Sequence, residues 1–145
     1  MIIRPLAELR ADFPDDQIEQ GSEIVQFGGR GVAQAIADIF ENLGYEVFSP
    51  EHAGEHGWDF RVRKGRTLWI QVTDLDDHFV LLTEDITPIW TRVFPPKGAT
   101  DAVTHADALT DLNRALAKDA RFSQVDWYTQ AEMQSDRPGA KSPVG

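Results

Sequence analysis

Apolar residues recur at two distinct periods along this chain, and the periods place its elements. Val32, Ile36, Ile39, Phe40 and Leu43 fall at i, i+4, i+7, i+8 and i+11, a single stripe at helical period. Gly44 stands where a glycine just past the last turn ends such a helix. A second stripe, Val103, Ala106, Leu109, Leu112 and Leu116, predicts a helix from near Thr104 to about Lys118. Asp107, three residues after Thr104, makes a loose analogue of a capping box. Between the two helices, Trp58–Val62 and Thr67–Thr73 alternate at period two, as half-buried strands do.

The alternation also constrains the hairpin joining those strands. Trp58, Phe60 and Val62 share a face only with Leu68, Ile70 and Val72 if the loop has an odd number of residues. A three-residue loop, Arg63-Lys64-Gly65 with Gly65 left-handed, sets Phe60 opposite Leu68 and Trp58 opposite Ile70. A two-residue turn would set Phe60 against Trp69 and split the apolar sets.

Further strands are predicted at Ile24–Phe27, Tyr45–Ser49, Phe79–Thr83 and Gln124–Tyr128. Ile89–Phe94 reads as another strand or a bent edge segment, closed by Pro95 and Pro96. Residues 1–22 are polar and punctuated by Pro5, Pro14 and Gly21, which predicts an irregular arm with room for one short helix. From about residue 131 to 145 the composition predicts a disordered tail. Residues 23–130 then form one α+β domain: an antiparallel sheet of about five strands with two main helices on one face, in the order α-β-β-β-β-α-β.

Length and charge narrow the classes of function. At 145 residues the chain suits one domain, which buries roughly 68–70% of its unfolded surface and requires no disulfide or metal. The absence of cysteine removes disulfide scaffolds, cysteine zinc sites, iron–sulfur clusters and cysteine nucleophiles. The N-terminus has no signal-peptide core, and no run of eighteen apolar residues occurs, so the cytoplasm is the default expectation. A formal net charge of −10 disfavours nucleic acid and anionic membranes as partners. It suits solubility, or steering toward a basic protein. The acids cluster near residues 8–23 and 74–85, on either side of the basic stretch Arg61, Arg63, Lys64 and Arg66.

Three motifs imitate catalytic ones. His52, Glu55 and His56 have the H-x-x-E-H spacing of a zinc protease, whose histidines must share one helical face. Pro50, Gly54 and Gly57 disfavour that helix, so an exposed loop, at most a site of adventitious metal, is expected. Gly29 and Gly31 before the first helix, with Glu51 some twenty residues on, echo the dinucleotide fingerprint, but the third small residue is Gln34. A glycine-rich link entering the helix at a sharp angle is the simpler account. Gly57-Trp58-Asp59-Phe60 and Trp69-Ile70-Gln71-Val72-Thr73, after a helix ending Leu43-Gly44-Tyr45, resemble the spacing of restriction-endonuclease-like nucleases. That resemblance implies Mg²⁺ held by Asp59 and Gln71. Thr73, however, stands in place of the catalytic lysine.

With the apolar set turned to the helices, Asp59, Arg61, Arg63, Trp69, Gln71 and Thr73 point the other way. A tryptophan and two arginines in a polar surround have the composition of a protein-binding hot spot. Two arrangements would remove it: Arg61 lying over the Trp69 ring, or the N-terminal arm covering that face. Trp90 and Trp127 read as core or rim.

Size, acidity and the helix–strands–helix–strand order over roughly residues 30–128 resemble the small acidic chaperones of bacterial type III secretion. The same composition suits an immunity protein that occludes a basic toxin. The resemblance implies a binding module, a homodimer in the chaperone case, with no cofactor. The residues expected to contact a partner protein are Arg61, Arg63, Trp69, Gln71, Asp76 and Asp77. The alternative is a metal-dependent hydrolase or degenerate nuclease using Asp59 and Gln71, with Glu55, His52 or His56 as a further metal ligand in the hydrolase case.

Overall fold

The clearest helix forms where the apolar stripe requires it. A computed structural model describes residues 1–94 and 103–145, and its first helix, α1, spans Arg30–Asn42. Val32, Ile36 and Phe40 are buried along its inner side, with three alanines between them. Its end is a Schellman turn: Tyr45 N–H donates to the Phe40 carbonyl at 3.0 Å, and Gly44 N–H to that of Glu41 at 3.0 Å. The Phe40 and Tyr45 rings meet edge to face at 5.1 Å, the apolar contact that accompanies this turn. At the other end, the Asp16 carboxylate accepts from Gly29 N–H at 2.9 Å and Gly31 N–H at 2.7 Å. A remote acid thus closes the helix N-terminus.

The strands, in chain order, are β1 (Leu6–Ala11), β2 (Ile18–Gln20), β3 (Glu23–Gln26), β4 (Glu46–Val47), β5 (Glu51–His52), β6 (Trp58–Lys64), β7 (Arg66–Asp74), β8 (Phe79–Asp85) and β9 (Phe122–Tyr128). The other helices among the described residues are α2 (Ile89–Val93), α3 (His105–Lys118) and α4 (Gln130–Gln134), with a 3₁₀ turn at Gly54–His56. The class is α+β, with an antiparallel main sheet ordered β4-β6-β7-β8-β1-β9 and β5 also beside β6. α1 and α3 cover one face. Ala7, Leu9, Phe60, Ile70, Val72, Leu81 and Trp127 meet them there in a single core. Thr104 and Asp107 form a full capping box at the start of α3.

Several expectations change. The segment expected as an irregular arm holds β1, an interior strand between β8 and β9. Ala7 and Leu9 face the core, while Glu8 and Arg10 occupy the alternate positions that face outward. Those two charges, which break an apolar run when read locally, are the polar half of a period-two strand. Among the described residues the main sheet has seven strands rather than about five, and the predicted strand Tyr45–Ser49 shrinks to the two residues of β4. Ile89–Val93 is helical, and Pro95–Pro96 lie outside the described residues.

The expected disordered tail is ordered. Ala140 exchanges both backbone hydrogen bonds with Trp127, and Gly145 does so with Ile2. Arg4 pairs with Glu132 at 2.9 Å, and Lys141 with Asp126. Backbone pairing at the β9 edge orders a segment whose composition offers no core of its own.

The β6–β7 hairpin keeps the predicted parity but not the predicted loop. Phe60 faces Ile70 and Trp58 faces Val72, and the pairing runs on to Lys64 and Arg66. Gly65 turns the corner alone, at φ 80°. A slip of two residues leaves every side chain on its own face, so the apolar pattern cannot oppose it. The longer strand carries Lys64 to the end of α1, where Nζ donates to the Leu43 carbonyl at 3.0 Å and lies 5.3 Å from the Tyr45 ring centre.

Candidate functional site

The outer face of β6, β7 and β8 is built by the residues alternate to the core set. Arg61 lies opposite Trp69, and Trp69 opposite Glu84, so cation, indole and anion form one rung across three strands. Directly opposed residues approach to about 4.5–5.5 Å between Cβ atoms. Arg61 and Glu84 are exposed and Trp69 is half-buried. Beside the rung opens a depression of 390 Å³ lined by Phe48, Glu51, Asp59, Arg61 and Trp69 among others. Ser49 also lines it.

The engagement of these side chains differs sharply. Arg63 donates to Glu46 from Nε at 3.0 Å and from Nη2 at 2.6 Å, and it lies over the Phe48 ring at 5.8 Å. Among the described residues the Arg61 guanidinium has no such partner, and it does not lie over Trp69. The indole N–H of Trp69 is likewise free, whereas that of Trp58 donates to Phe27 O and that of Trp127 to Asn113. Arg61 and Trp69 therefore offer hydrogen bonds and a flat apolar surface that the fold does not use. Trp127 is fully buried, but Trp90 is 66% exposed on α2 rather than part of a core or rim.

The remaining predicted site residues separate. Gln71 lies next to Asp59, but its Nε2 donates to the His56 carbonyl at 3.0 Å, as the Thr73 hydroxyl does at 2.7 Å. The 3₁₀ turn can sit this close because Gly57 has no side chain: a Cβ there would lie 2.2 Å from the Val72 carbonyl oxygen. His52 accepts from Phe27 N–H through Nε2 at 3.0 Å and packs between the Phe27 and Trp58 rings. Its ring is thus held by backbone and aromatic contacts of the fold. No group of three or more His, Asp or Glu side chains among the described residues is placed to hold a metal ion. No helix among them is long and apolar enough to cross a membrane.

Asp76 and Asp77 lie in the turn after β7, far from Trp69; the strand between Trp69 and Asp74 spans roughly 17 Å. Asp74 accepts the Asp76 N–H at 2.8 Å, and Asp77 pairs with His78 at 2.6 Å. The hydrogen bond from His78 holds the Asp77 carboxyl below its usual range. Asp15, Asp16, Asp74 and Asp76 line a second depression of 230 Å³ beside the α1 N-terminus. The backbone N–H groups that a dinucleotide phosphate would take are occupied there by Asp16.

Sequence reasoning missed Phe48, Glu84 and Asp16. Glu84 was accessible through the alternation of Phe79–Asp85, whereas Asp16 reaches Gly29 only through the tertiary fold. No family model, no curated protein and no solved structure matches this chain.

Proposed function

We propose that this chain is a non-enzymatic protein-binding module, of the chaperone or immunity type, that docks a partner on the outer face of β6–β8 around Arg61 and Trp69. One observation carries the reading: on the outer sheet face, an arginine and a tryptophan stand side by side with their polar groups unengaged among the described residues. Trp and Arg bring large, geometrically fixed contact area and dominate measured interface hot spots. The depression beside them, where Phe48 stands with Glu51 and Asp59, supplies concave ground of mixed polarity for a partner's side chain. The net charge of −10 favours a partner with a basic surface and speeds its approach.

The test is capture of partners from the native cell extract by the full chain and by Trp69→Ala, Arg61→Glu and Asp76→Lys variants. The first two are expected to lose the specifically captured protein while melting within a few degrees of the parent. Asp76→Lys, remote from the rung, reports on charge steering and is expected to slow association at low salt. Unchanged capture by Trp69→Ala and Arg61→Glu, or their unfolding, rejects the site.

A further inference from the structure

Both edges of the main sheet are blocked. At β9 the tail residue Ala140 takes the outward backbone groups of Trp127, at 2.7 and 2.8 Å. At the other end Pro50 divides the edge into two strands of two residues each, β4 and β5. Such devices keep a sheet from pairing with another chain.

The ribbon of β2 and β3 is neither covered by the tail nor divided by a proline, and its protection is limited to short strands and a register shift between Ile18 and Glu19. It forms a separate two-stranded sheet, closed by Gly21 and Ser22. No backbone group of residues 18–26 bonds to backbone outside the ribbon among the described residues. Its apolar side chains are turned to solvent: Ile18 is 48% exposed and Val25 42%. A two-stranded ribbon is marginal in water alone, and a third strand stabilises it. Its base is nevertheless fixed to the body, because Phe27 donates its N–H to His52 and accepts from Trp58 Nε1, both at 3.0 Å.

Charge selects the occupant. Between Arg10 and Arg30 the chain carries Asp12, Asp15, Asp16, Glu19 and Glu23 and no Lys or Arg. Glu23 has no partner among the described residues, and Glu19 accepts only from Gln17, at 2.9 Å. A second copy would bring the same acids against these, and like charges opposed across strands are destabilising. An extended segment in which Lys or Arg alternates with Val or Ile meets both needs. By strand parity Glu23 and Val25 share one face of the ribbon and Ile24 lies on the other, so a segment laid beside β3 sets its cations on the Glu23 face and its apolar residues over Ile24. We propose that the β2–β3 ribbon captures an extended cationic segment of a partner protein as a third strand, a surface separate from the Arg61–Trp69 rung.

The experiment titrates the full chain with a short peptide alternating Val and Lys, read by amide chemical shifts. The same peptide N-methylated on alternate backbone amides serves as control, since methylation removes ladder donors and keeps the charge. The parent peptide is expected to shift residues 18–26, and to bind the Trp69→Ala variant equally well. The methylated peptide is expected to bind at least about tenfold more weakly, as is the parent peptide to a Glu19→Lys/Glu23→Lys chain. Equal affinity for the methylated peptide, no saturable binding at millimolar peptide, or shifts centred outside the ribbon each overturns the proposal. A loss of partner capture at Trp69 with these outcomes would leave the rung standing and remove the ribbon.

Discussion

The two faces of β6 and β7 are made by alternate residues of the same strands, yet they are governed by different physics. On the inner face Phe60, Ile70 and Val72 are buried under α1, and packing determines what each position tolerates. On the outer face Arg61 and Trp69 meet no covering layer among the described residues, and their polar groups stay unengaged there. The same outer face closes again toward β9, where Asp126 and Tyr128 are only 8% exposed beneath the C-terminal segment. Among the described residues the outer face is therefore open where a third layer stops, with no change in the strands that carry it.

The largest effect that tests this contrast comes from a pair of neighbours on β7. Ile70→Ala is expected to cost about 2–5 kcal/mol in urea unfolding, as a cavity in a closed core does. Trp69→Ala, one residue away, is expected to cost less than about 1 kcal/mol. Equal losses would mean that the outer face is packed and would break the comparison.

Next in size is Asp16→Ala, which leaves the Gly29 and Gly31 N–H groups without their acceptor. A destabilisation of about 1–2 kcal/mol is expected, the usual cost of a lost helix N-terminal cap. A neutral result would show that water replaces the carboxylate and that the cap contributes little.

Tyr45→Phe acts in the opposite direction. The buried Tyr45 hydroxyl has no hydrogen-bond partner, and burial, with Asp111 and Asp107 nearby, pushes its pKa up to about 12. Because burial raises the folded pKa by disfavouring the ionised form, this group leaves stability unaffected below about pH 10 and lowers it as pH rises toward 12. The phenylalanine variant is expected to be unchanged or up to about 1 kcal/mol more stable at neutral pH. Its stability should also fall less between pH 10 and 12, measured by urea midpoints across that range.

The smallest effect is local. Backbone N–H of Thr129 and the Arg4 guanidinium hold the Glu132 carboxyl below its usual range. Burial works against ionisation of Asp126, but hydrogen bonds from Lys141 and Gln124 together outweigh it and lower its pKa as well. Groups with depressed folded pKa values stabilise above the unfolded value and lose that effect as pH falls through the folded one. Below about pH 4, hydrogen exchange is expected to quicken in residues 130–145 before it does in β6–β8. Simultaneous loss of protection would show that tail and sheet form one cooperative unit.

What the residue pattern by itself determined was local and periodic. The α1 stripe with its Gly44 ending, the Thr104–Asp107 start of α3, and the division of β6 and β7 into an apolar and a polar face all follow from spacing along a few turns or strands. Arg61 and Trp69 were legible as neighbours on the polar face for that reason. Which of the polar residues stay free was not legible. Arg63 is taken by Glu46, Gln71 by the His56 carbonyl and Asp77 by His78, contacts set by loops and turns rather than by strand parity. The place of β1 inside the sheet, the two-residue slip at Gly65 and the ordered tail depend on partners far away in sequence. Periodicity says which side a residue faces. Only the packed chain says what, if anything, is waiting there.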